Sequence, residues 1–106
     1  MVATQQLEGL REKGNVGEII RLLMISRDKK AADLAKELRV TPTYINAITN
    51  NVKVPSIRLL TDFFEYFDIS FEKFSYLVDF YNNYTGEEKF EHVLLETLKI
   101  VVETLE

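Results

Sequence analysis

Between Lys30 and Asn50 the chain carries two short helical patterns joined by almost nothing, and this join restricts the fold more than any other feature. Ala31, Leu34, Ala35 and Leu38 recur at helical spacing. Arg39 and Val40 make a short turn, and Thr41-Pro42 then restarts a helix, because Thr is a good N-cap and Pro is favoured at the first helical position. The second pattern runs to about Asn50, where Asn50-Asn51 can supply a left-handed C-cap. Two helices joined this tightly must cross steeply and pack closely. Close approach needs a small residue, and Ala35 is placed for it; Val40, Ile45 and Ile48 supply apolar anchors beyond the turn. At about 100° per residue, Ile45 and Ile48 point one way and Thr43, Asn46, Ala47 and Asn50 point the other.

The remaining chain reads as further helices, giving an all-α fold. Asn15 followed by Glu18 resembles a capping box and opens a helix to about Ser26, with Ile19, Ile20, Leu22, Leu23 and Met24 apolar. Ser56 caps a helix through Leu59, Leu60, Phe63, Phe64 and Phe67. Ser70 caps the next, through Phe71, Phe74, Leu77, Val78 and Tyr81. Residues 82–86 form the one clear linker, and Thr85 with Glu88 suggests a second capping box before a last helix from Glu87 to about Leu105. Thr4 to Lys13, with Leu7 and Leu10, is a further short helix within an N-terminal extension over residues 1–15.

Composition narrows the function classes. The chain has 106 residues, 46% of them apolar, which suffices for one core without staples. It has no Cys, so disulfides and thiolate metal sites are excluded. No apolar run approaches the roughly 18 residues of a membrane span, and no signal-like stretch opens the chain, so a cytoplasmic location without membrane attachment is the expectation. The net charge of −4 is unevenly placed. Residues 27–58 hold seven basic side chains (Arg27, Lys29, Lys30, Lys36, Arg39, Lys53, Arg58) against three acidic ones, while residues 59–106 hold three against eleven. An anionic partner is therefore to be sought in the middle third.

Residues 17–74 resemble the Cro / phage-repressor (Xre) family of helix-turn-helix regulators. The pattern is followed at Leu34-Ala35, Leu38, Val40, Ile45, Ile48, Pro55-Ser56, Leu60 and the Asp68-Ile69-Ser70 step. The ending FDISFEKFSYL is also similar to the N-terminal domains of Rgg-type regulators. The resemblance implies a five-helix repressor-type DNA-binding domain over residues 16–82, with the helix that opens at Thr41-Pro42 in the major groove of double-stranded DNA. A small, uncharged outer face suits a groove about 12 Å wide. Base reading would fall to Thr43, Asn46, Ala47 and Asn50, with Tyr44 beside them. Phosphates would meet Lys29, Lys30, Thr41, Lys53, Ser56 and Arg58, the free N–H groups at Ser56 included. The chain departs from the family at Ala31, where Gln is usual, and at Arg39 and Asn51, where Gly is usual; Thr49 replaces a Glu. These departures and the overall acidity leave an alternative, a helix-turn-helix fold turned to binding another protein.

Phe90, Leu94, Leu98, Val101 and Leu105 recur at steps near a heptad seam. Since the family domain closes its own core, residues 85–106 are expected to add a helix for homodimerisation, the alternative being that this helix folds back. Leu7 and Leu10 could join the same interface, and truncation after Tyr84 would leave a folded monomer. The aromatic series from Phe63 to Tyr84 has the spacing of core. His92 stands on a Glu-rich helix as a surface residue, and Glu87, Glu88, Glu91, Glu96 and Glu103 read as a solvated face. No catalytic set, phosphate loop, metal-ligand spacing or cofactor motif is apparent, so an enzyme is not expected.

Overall fold

A computed structural model describes the backbone of residues 3–105 and the side chains of residues 3–103. Seven helices and no strand occur among them: α1 (Thr4–Lys13), α2 (Val16–Ser26), α3 (Ala31–Leu38), α4 (Pro42–Thr49), α5 (Ile57–Phe67), α6 (Phe71–Asn83) and α7 (Lys89–Leu105). Three starts are set by expected hydroxyl caps. The hydroxyl oxygens of Thr41, Ser56 and Ser70 accept from the backbone N–H of Tyr44, Leu59 and Lys73, each at 3.1 Å.

Two expected capping boxes do not form. Asn15 has φ 63°, and its amide donates to Asn82 Oδ1 at 2.8 Å instead of capping α2. Glu18 pairs with Arg21. The reversal from α1 into α2 takes Gly14 and Asn15 through positive φ, and Asn tolerates that region better than most residues. At the other end α7 begins only at Lys89, and the Glu88 carboxylate meets His92 Nε2 at 2.9 Å.

Helix α2 is the hub. Ile19, Ile20, Leu22 and Leu23 are buried in one core cluster that includes residues of α3 to α7, and α2 itself packs on α4, α6, α7 and α1. The aromatic series divides. Phe63, Phe67 and Phe74 are core, with Phe63 4.5 Å from Phe67 and 5.9 Å from Phe74 between ring centroids. Tyr76, Phe80 and Tyr84 instead form a partly exposed ladder down α6. The Tyr76 phenol pKa is raised by burial and by its hydrogen bond to Glu96 of α7.

The terminal helices correct the sequence reading. Leu7 and Leu10 are buried where α1 packs on α2, α5 and α6, so neither is available to an interface. Helix α7 folds back on α2 and α6, burying Val93, Thr97, Ile100 and Val101. The Thr97 hydroxyl is satisfied by the Val93 carbonyl at 2.8 Å. Val101, expected in a seam between subunits, is 5% exposed and faces its own domain, whereas Phe90, Leu95, Leu98 and Val102 stand in solvent. The side chain of Leu105 lies outside the described residues. A stripe this wide serves two faces: one closes the core, and the other stays open.

Candidate nucleic-acid interface

The placement of α4 against α3 and α2 depends on three close approaches. Arg39 takes the left-handed conformation, φ 58° and ψ 46°, which turns the chain without Gly at the roughly 1 kcal/mol such a residue costs. The Val40 N–H then returns to the Ala35 carbonyl at 3.0 Å, and Ala35 is buried as expected. The third approach was not read from the sequence. A Cβ on Gly17 of α2 would overlap the Ile48 carbonyl oxygen and lie 2.9 Å from its carbon. Only Gly lets α2 meet the end of α4 so closely. The sole signal was a Gly inside an otherwise apolar helix start.

With Ile45 and Ile48 fixed inward, α4 turns Thr43, Asn46 and Asn50 fully outward and Ala47 partly so. The structure therefore brings these four onto one open face. Among the described residues, neither the Thr43 nor the Asn46 side chain is engaged in a hydrogen bond. Tyr44 stands at the edge of that face, half-buried, and its hydroxyl accepts from the Ser56 N–H at 3.3 Å. It ties α4 to the start of α5.

The segment after α4 folds back on that helix. Val52 and Lys53 N–H both reach the Ala47 carbonyl, at 2.8 and 3.1 Å, and Asn51 takes φ 60°. Lys53 sits with its ammonium 5.8 Å from the Tyr44 ring centroid. Val52 and Val54 beside it are 74% and 56% exposed, an apolar pair the sequence reading passed over. Helix α5 then begins with Ser56 as its cap, leaving the first-turn N–H groups of Ile57 and Arg58 facing out of the helix end. Arg58 is exposed and 3.5 Å from Asp62, which moderates its charge.

The six expected phosphate residues do not form one cluster. Lys53, Ser56 and Arg58 gather at the N-terminal end of α5, and Thr41 caps α4. Lys30 precedes α3, its backbone N–H bonded to Asp33 at 2.9 Å. Lys29 lies 6.0 Å from the Tyr66 ring near the far end of α5, ten residues and so about 15 Å along the helix from Ser56. Arg27 leaves the surface set altogether. Its Nη2 donates to the Phe67 carbonyl at 2.9 Å, and its guanidinium lies over the Phe67 ring. No grouping of His, Asp or Glu among the described residues could hold a metal ion, and none of their helices is long and apolar enough to cross a membrane.

A short helix with one buried and one open polar face, packed on a partner helix across a three-residue turn, defines a helix-turn-helix unit. The family model described as helix-turn-helix matches residues 20–74, from within α2 to within α6. The chain belongs to this family, in its Cro/Xre form, and so to a family of DNA-binding transcription regulators. No curated protein and no solved structure matches the chain. Helices α1 and α7 lie outside the matched stretch.

Proposed function

We propose that the protein is a sequence-specific repressor that binds a palindromic operator as a homodimer, acts in the cytoplasm and occludes a promoter. The observation that carries this reading is the open face of α4. Thr43, Asn46, Ala47 and Asn50 project from a helix whose opposite side is locked into the core. Asn46 can hold adenine through its N6 and N7 edge, and Ala47 can pack on a thymine methyl. The two basic groups lie apart along α5, Lys29 by Tyr66 near its C-terminal end, with Lys30 next to it in the chain, and Lys53 and Arg58 about its start. Each would address the phosphates of one strand, with Ser56 and Thr41 contributing from helix starts.

Dimerisation is assigned to the outer face of α7. Phe90 and Leu98 are exposed, Leu95 and Val102 extend the exposed stripe, and Leu94, packed partly against the core, and Val101, buried in it, leave the expected set. Selection of bound sites from random duplex DNA tests the whole reading. The expected result is an inverted repeat with half-sites one helical turn, about 34 Å, apart and A·T pairs facing Asn46 and Ala47. Recovery of no common sequence would remove the operator from the account.

A second reading has one observation of its own. Val52 and Val54 are exposed on either side of Lys53, where a protein partner would find apolar contact. A DNA-binding protein is retained on heparin and elutes at moderate salt; a protein-binding module of net charge −4 flows through.

A further inference from the structure

The peptide group that joins Pro55 to Ser56 is held from both sides. Its N–H end donates to the Tyr44 hydroxyl of α4 at 3.3 Å. Its carbonyl end accepts from Arg11 Nε of α1 at 2.8 Å. Both ends of one rigid plane are thus tied to different helices, directly before the first turn of α5.

Arg11 is itself fixed. Its Nη1 donates to both oxygens of Glu8 at 3.0 Å, one turn earlier on α1. The base of α1 is anchored by buried Leu7 and Leu10, and by Lys13, whose ammonium lies 3.0 Å from Ser75 Oγ and 3.0 Å from Asp79 Oδ1. A helix outside the family-matched stretch therefore reaches across to the segment that carries Lys53 and the open N-terminus of α5.

We infer that Arg11 is a positioning residue for DNA binding: through the Pro55–Ser56 peptide it sets Lys53 and the first N–H groups of α5 against the open face of α4. The inference rests on the DNA-binding reading above. It makes α1 part of the interface machinery although α1 need not touch DNA.

The test uses the full chain with Arg11→Ala and Arg11→Lys, the latter keeping the charge but not the Nε geometry. Amide hydrogen exchange of Lys53, Ser56, Leu59 and Leu60, each hydrogen-bonded in the fold, is followed in the free protein. Affinity for random-sequence duplex DNA is followed across salt concentration, with Lys53→Ala as reference. Both Arg11 variants are expected to speed exchange at these amides and weaken DNA binding roughly fivefold, the scale of one lost hydrogen bond, with the salt slope unchanged. If Arg11→Ala lowers the slope by about 0.9 and Arg11→Lys restores it, Arg11 is a phosphate contact and the positioning role is overturned. Unaltered exchange overturns it as well, as does faster exchange with parental DNA affinity. Failure of the DNA-binding reading is recognised separately: Lys53→Ala then binds duplex DNA as the parent does.

Discussion

Gly17 and Arg27 show how single residues take roles that the sequence alone does not announce. Gly17 looks like a weak point in a helix, yet it is where α2 admits the backbone of α4. Gly17→Ala is expected to destabilise the fold by about 1–3 kcal/mol, measured by chemical denaturation, because backbone atoms rather than a flexible side chain must move. Arg27 counts as a surface charge in the sequence, but its guanidinium is held by the Phe67 carbonyl and ring. Arg27→Ala should therefore lower stability and leave the salt dependence of DNA binding unchanged. Lys53→Ala should do the reverse, reducing the slope of log affinity against log salt by about 0.9 with little change in stability. Charge can be counted in a sequence; whether a cation already has an internal partner cannot, since Phe67 lies 40 residues away.

Helix starts at Thr41, Ser56 and Ser70 were legible because capping is local chemistry within three residues. The inward face of α4 was legible for the same kind of reason, through helical periodicity at Ile45 and Ile48. Asn15 failed as a cap because Gly14 and Asn15 must reverse the chain, a demand set by where α1 and α2 pack. Helix α7 was the least legible element. A broad apolar stripe states how much surface is to be covered but not by what. Its division at Val101 overturns the expectation that truncation after Tyr84 leaves a folded monomer, since that cut removes Val93, Ile100 and Val101 from the core. A point substitution separates the two faces. Leu98→Glu is expected to yield a folded monomer in sedimentation experiments, with weakened operator binding. Val93→Ala should instead destabilise the fold by about 1–3 kcal/mol and leave the association state of the folded protein unaltered. A parent chain that sediments as a monomer at high micromolar concentration would contradict the dimer.

At the scale of the whole molecule, the helix-turn-helix unit sits between two added helices with different duties. Helix α1 braces the segment after α4, and α7 closes the core on one face while leaving Leu95, Leu98 and Val102 open on the other. Acidic residues dominate the C-terminal half, and the exposed cations of the middle third lie in separate places, Lys29 and Lys30 before α3 and Lys53 and Arg58 about the start of α5. The separation of acidic from basic residues would orient the molecule toward a polyanion despite its net charge of −4. The central claim is that the open face of α4 reads bases. It is tested most directly by the affinity of Asn46→Ala for the selected operator and for random duplex DNA, measured side by side at one salt concentration. The expected loss is roughly 1–3 kcal/mol on the operator and little on random DNA, with an unfolding midpoint equal to that of the parent. Ile45→Ala serves as the control for helix orientation, with a loss of about 2–5 kcal/mol in stability. Parental operator affinity in Asn46→Ala, with Ile45→Ala destabilised as expected, would contradict base reading by α4 and leave the protein-binding module as the account to pursue.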